Sequence, residues 1–92
     1  MLNEEMHLIF HGRVQGVGFR ATAKKIADKL HLAGYAKNQS DGTVEICAQG
    51  ARQQLNQLVE QLQAVFGRDD KVSLVSQSFS PIDTEWKTFQ IQ

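Results

Sequence analysis

Three glycines fall within seven positions in Gly12-Arg13-Val14-Gln15-Gly16-Val17-Gly18, and Phe19-Arg20 follow at once. A backbone this free of Cβ atoms turns tightly, reaches positive φ and brings its amides close to a ligand. The periodic run after it reads as a helix, so the stretch ends in the unpaired N–H groups of a helix start, where the macrodipole favours an anion. Arg20 stands at that start with a planar guanidinium able to grip two phosphate oxygens at once. The chemistry these residue types can do together is the binding of a phosphoryl group. Asn38 is the second candidate, because an uncharged amide facing such a cradle can accept a hydrogen bond from water, donate one to a phosphoryl oxygen and so place the water for attack. Each candidate also has a plainer reading. The glycines would serve a strand-to-helix turn, and Asn38 would start the turn Gln39-Ser40-Asp41-Gly42.

Two nucleotide-binding motifs are weighed and set aside. Gly16 to Ala21 fits G-x-G-x-x-[GA], but that fingerprint works inside a doubly wound parallel sheet, and the rest of the chain supplies too few elements for one. A Walker A loop needs Gly-Lys-[Ser/Thr] at a fixed spacing, and none follows.

Composition narrows the partners. Ninety-two residues suit one domain, 1–92, with one core. Ten basic and ten acidic residues cancel, so the field that draws nucleic acid or anionic lipid is missing and neither is expected as a partner. No apolar run approaches the length of a membrane span, and Met1 to Met6 carries two glutamates in place of a signal sequence. A cytoplasmic location and a monomer are the expectations. Cys47 is the only cysteine, which rules out an internal disulfide and a thiolate cluster, and it reads as a small side chain on a sheet. His7 and His11 share a side of one strand but stand about 13 Å apart there, too far to share one ion. Both read as solvent-side residues. Neither a metal nor a cofactor is expected.

These candidates need elements to hold them. His7 to Arg13 reads as a strand with Leu8 and Phe10 inward, and Arg20 to Leu30 as an amphipathic helix on Ala23, Ile26, Ala27 and Leu30. Tyr35–Asn38 and Thr43–Ala48 form a hairpin through Asp41-Gly42, with Val44, Ile46 and Ala48 on its buried face and Thr43, Glu45 and Cys47 on the other. Gly50 breaks the alternation. Leu55, Leu58, Val59, Leu62, Val65 and Phe66 trace a second helix, with Gly67 just past its end. A charged connector, Arg68 to Lys71, leads to a strand from Val72 to about Phe79. Pro81 interrupts, and Trp86 to Ile91 alternates as a last strand. The order β, α, β, β, α, β with a short extra strand predicts an α+β, ferredoxin-like split βαβ sandwich: an antiparallel sheet of four to five strands with two helices on one face. In that topology the strand reached after the first helix ends on the same edge as the loop before it, which carries Asn38 toward the glycine cradle.

Gly12-Arg13-Val14-Gln15-Gly16-Val17-Gly18-Phe19-Arg20, followed by Gly-Tyr-Ala-Lys-Asn-Gln-Ser-Asp-Gly-Thr-Val-Glu at 34 to 45, resembles the two signature motifs of acylphosphatases. The similarity spans nearly the whole chain, Phe89-Gln90-Ile91 included. It implies that Arg20 is the phosphate-binding arginine, that Asn38 orients the nucleophilic water, and that the amides of Gln15, Gly16, Val17, Gly18 and Phe19 form the phosphate loop. The implied reaction is metal-free hydrolysis of the carboxyl-phosphate bond of a small acyl phosphate, by in-line attack of a positioned water, to a carboxylate and inorganic phosphate. In the family the substrate's own phosphate is thought to help take the water's proton. Such a sparse site suits the chemistry. The leaving carboxylate has a conjugate-acid pKa of about 4 and departs without a general acid, and phosphoryl transfer through a loose transition state needs mainly positioning and charge stabilisation. One departure stands out: Leu30-His31-Leu32 replaces the family's usual Leu-Gly-Leu after the first helix, which would cost about 1 kcal/mol if His31 adopts the left-handed conformation of that glycine.

Two readings compete from other classes. A non-catalytic anion-binding module would use the same cradle without turnover. An RNA-binding ferredoxin-like module would stack bases on aromatics of the third strand, and Thr43 to Ala48 contains none.

Overall fold

Alternation of apolar and polar residues sets the sheet. The computed structural model describes residues 3–67 and 72–92, so the expected connector 68–71 lies outside the described residues. β1 (Asn3–Gly12) turns Met6, Leu8 and Phe10 into the core. α1 (Phe19–Lys29) buries Phe19, Ala23, Ile26 and Ala27. β2 (Ala33–Asn38) and β3 (Val44–Ala51) follow as an antiparallel hairpin, then α2 (Arg52–Phe66), β4 (Val72–Ser80) and the short β5 (Phe89–Ile91). The sheet order is β4-β1-β3-β2-β5. β3 is antiparallel to both β1 and β2, so β1 and β2 are parallel with β3 between them, the expected split βαβ arrangement. Both helices contribute to the one core cluster with the sheet's inward face.

Several details differ from the sequence reading. β5 pairs with β2 in parallel, which makes the sheet mixed. β3 runs on through Gly50 to Ala51, because Glu4 and Asn3 of β1 still pair with those two residues. Val65, placed on the buried stripe of α2, is 54% exposed, while the adjacent Phe66 packs on the core. Gly67 caps α2 with φ −69°, an ordinary right-handed value, so its lack of a side chain answers a close approach to the Gln63 carbonyl rather than a left-handed turn. The outward face of β3 is also not open. Cys47 and Gln49 are buried, as is Thr43 just before the strand, partly because the segment after β4 folds back over it. Gln49 Nε2 donates to the Thr84 carbonyl (2.6 Å), the Trp86 amide donates to Gln49 Oε1 (2.9 Å), and Trp86 packs on Tyr35 with ring centroids 5.3 Å apart.

α1 ends as its sequence departure suggests. The Leu32 amide donates to the Ala27 carbonyl (2.9 Å) and the His31 amide to that of Asp28 (3.2 Å), the two bonds of a Schellman motif. His31 occupies its left-handed position with φ 58°, alone in this among the described non-glycine residues.

Candidate active site

The glycine-rich loop is anchored at both ends by apolar side chains. Val14 is buried, and Phe19 sits between Phe10 of β1 and Phe66 of α2, with ring centroids 4.8 and 4.6 Å away. Between these anchors Gly16 and Gly18 take φ 76° and 78°, a region that costs an L-residue about 1–2 kcal/mol. Gly18 is the N-cap of α1, and no side chain caps the helix. The amides from Gln15 to Ala21 find no acceptor among the described residues, the first turn's bonds beginning with Thr22 N–H to the Gly18 carbonyl at 3.0 Å. Unpaired donors gathered at the positive end of a helix dipole are suited to an anion.

Arg20 lies one residue into that helix. It lines a hollow of about 140 Å³ with Val14, Gly16, Gly18, Phe19, Ala21 and Ile91. Its Nη1 donates to the main-chain oxygen of Gln92 (2.7 Å), and one turn on, Lys24 Nζ donates to the Phe89 carbonyl (2.9 Å). The C-terminal strand thus steadies the guanidinium at the hollow. Sequence reasoning placed Arg20 at the helix start but had no signal for this restraint, since the partner is a backbone oxygen 72 positions away.

Asn38 ends β2, and its partner there, Val44, is also the partner of Phe10 on β1. That row is the last in which β3 pairs with both neighbours, while β1 goes on pairing with β4 as far as Gly12. The side chain of Gln15 ties loop to hairpin, its Nε2 donating to the carbonyls of Gln39 (2.9 Å) and Thr43 (3.0 Å). Gln15 was expected to act through its backbone amide, and this side-chain tether was not foreseen. Asn38 Oδ1 is buried and has no hydrogen-bond partner. Buried acceptors are nearly always paired, so this unsatisfied one is an exception, at the end of the hairpin that Gln15 ties to the loop. The hollow beside Arg20 is not lined by Asn38, so any joint action requires a ligand reaching from one to the other.

The residues from 6 to 91 match the family model for acylphosphatase. The chain belongs to the acylphosphatase family. Acylphosphatases similar to it include one from Ligilactobacillus salivarius, 44% identical over 84% of this chain and 86% of the relative, and one from Koribacter versatilis, 39% identical over 98% and 81%. The crystal structure of the acylphosphatase from Bacillus subtilis superposes with a TM-score of 0.82 at 35% identity, covering 97% of this chain and 98% of that one. The expected family is therefore the right one, and the chain is a hydrolase of acyl phosphates that yields inorganic phosphate. Nothing in the comparisons favours the RNA-binding or non-catalytic alternatives. Cys47 does not line this hollow. Cys47 is buried, and burial first, then the neighbouring Glu5 and Glu45 carboxylates, pushes its thiol up to about 12, so it is protonated and no nucleophile. Among the described residues no helix is long and apolar enough to cross a membrane.

Proposed function

We propose that the acyl phosphate binds with its phosphoryl group on the Gln15 to Phe19 amides and the Arg20 guanidinium, and that Asn38 holds the attacking water. The observation that carries this reading is the uncapped N-terminus of α1, whose free amides and Arg20 border one small hollow. The water oxygen bonds to phosphorus as the bond from phosphorus to the acyl oxygen breaks. The carboxylate leaves with the electron pair, and the water's proton passes to the phosphate. Charge building on the equatorial oxygens is met by amide dipoles and a guanidinium fixed in advance by Gln92, so little reorganisation is needed at the moment of reaction. No side chain in the loop or at Asn38 is required to act as a general acid, because the leaving group is already a weak base. The reading includes a single domain, 1–92, that works as a monomer in the cytoplasm and needs neither a metal nor a cofactor for turnover.

Hydrolysis of benzoyl phosphate in the presence of a chelator tests it, with p-nitrophenyl phosphate as the ester control. Turnover of the acyl phosphate alone, lost in Arg20→Ala together with phosphate affinity, is the expected result. Equal phosphate affinity in wild type and Arg20→Ala refutes the assignment of Arg20. No turnover by folded wild-type protein would make the cradle an anion-binding module.

A further inference from the structure

The sheet face away from the helices carries a second cluster. Glu5 and His7 alternate on β1 and point to that face, and Cys47 is the direct cross-strand partner of His7 on β3. One ligand atom from each of the three lies within 4.8 Å of the other two. We propose that Glu5, His7 and Cys47 form a binding site for a divalent transition-metal ion of the zinc class, separate from the phosphate cradle.

Geometry and chemistry both support the assignment. His7 Nε2 stands 3.3 Å from Glu5 Oε2, and two ligands at about 2.0–2.1 Å from a tetrahedral zinc are themselves about 3.3–3.4 Å apart. A zinc–sulfur bond of about 2.3 Å puts sulfur about 3.6 Å from the other donors, so from separations within 4.8 Å Cys47 Sγ needs to close by about 1.2 Å at most. The strands that supply the ligands are the neighbouring β1 and β3 inside the five-stranded sheet, which leaves only side-chain rotation to be adjusted. The carboxylate is already aimed. Gln49 Nε2 donates to Glu5 Oε1 (2.8 Å) while itself held by Thr84 and Trp86, and this leaves Oε2 facing the histidine. An outer-shell amide orienting a ligand carboxylate is how such sites gain affinity. Glu45 is not a member of the cluster, and its Oε1 accepts from Tyr35 and Gln39.

One sulfur, one imidazole nitrogen and one carboxylate oxygen make a donor set suited to Zn²⁺ or Co²⁺ and poor for Mg²⁺ or Ca²⁺. With the thiol proton released to solvent as the sulfur–metal bond forms, thiolate and carboxylate cancel the charge of a dication, so the occupied site is neutral. Cys47 forms the buried floor, and the His7 side chain, 37% exposed, forms the open side from which an ion enters and where water completes the coordination.

The test is titration of the full chain, stripped with chelator, by Co²⁺ and then Zn²⁺. One equivalent of Co²⁺ should raise a thiolate-to-cobalt charge-transfer band with intense tetrahedral ligand-field bands, both bleached by Zn²⁺. Cys47→Ala should lose the charge-transfer band. Because Cys47 is buried and its variant can unfold, His7→Gln provides the second arm at a partly exposed position, where circular dichroism should stay unchanged while Zn²⁺ affinity falls about tenfold or more. A folded wild-type protein without the charge-transfer band, or a folded His7→Gln that binds Zn²⁺ as tightly as wild type, overturns the proposal.

Discussion

Asn38→Ala separates a working side chain from a structural one. Asn38 Oδ1 is buried without a partner, and an unpaired buried acceptor costs a fold about 1–3 kcal/mol. Truncation removes that cost together with a few packing contacts, so the free energy of unfolding should stay within about 1 kcal/mol of wild type. The rate should not. If the amide positions the water, its loss lowers kcat for benzoyl phosphate by about 10²-fold or more, which corresponds to about 2.7 kcal/mol of barrier. Inorganic phosphate should inhibit the variant as it inhibits wild type, because the loop amides and Arg20 are intact. Initial rates with phosphate as competitor, beside urea unfolding of the same samples, give all three quantities. A rate within threefold of wild type refutes the role. So does a parallel loss of rate and of more than about 2 kcal/mol of stability, which would show that the side chain holds the hairpin rather than the water.

Other substitutions probe the supports. Gln15→Ala frees the loop from the carbonyls of Gln39 and Thr43, so the KM for acyl phosphate should rise several-fold with about 1 kcal/mol of stability lost; an unchanged KM would mean that Val14 and Phe19 alone fix the loop. His31→Gly relieves the left-handed φ of 58° and should stabilise the protein by about 1 kcal/mol, or about 5 °C in Tm by calorimetry. His31→Ala keeps the Cβ and should gain nothing, and equal gains in both variants would refute the conformational account. Tyr35 is pushed up to about 12 from an ordinary 10.0 by burial first, then by its hydrogen bond to Glu45 and that carboxylate's charge. The folded state therefore favours the neutral phenol, so this contribution to stability is full below pH 10 and is lost as pH rises toward 12. Urea midpoints across that range should fall in wild type and fall less steeply in Tyr35→Phe.

Local pattern was enough to propose a phosphate cradle because all of its parts are consecutive. Gly16, Gly18 and Arg20 declare a turn, a helix start and a cation within five residues. The fold followed from alternation in Leu8 and Phe10 and in Val44, Ile46 and Ala48, and from the helical spacing of Leu55 to Leu62. What stayed hidden depends on residues far apart in sequence. Gly50 looked like a strand end because glycine is poor in strands, yet pairing with β1 carries β3 past it. Phe89–Ile91 alternates like any edge strand, and alternation does not encode whether its neighbour runs parallel or antiparallel. Burial of Cys47 and Gln49 required the fold-back of Thr84 to Trp86, which no periodicity foretells. The convergence of Glu5, His7 and Cys47 is of the same kind, since cross-strand register brings together ligands about forty positions apart.

The restraint on Arg20 depends on a strand synthesised well after both motifs. α1 and the β2–β3 hairpin can form early, but the guanidinium gains its Gln92 contact, and Lys24 its Phe89 contact, only when the C-terminal strand arrives to pair with β2. At about 5–20 residues per second, the roughly fifty residues between Asn38 and that strand take several seconds to emerge. β1 waits in the same way for β4, so much of the sheet rests on pairings distant in sequence, which slows folding. A nascent chain halted before Phe89 would carry both signature motifs and still lack the contact that steadies its arginine.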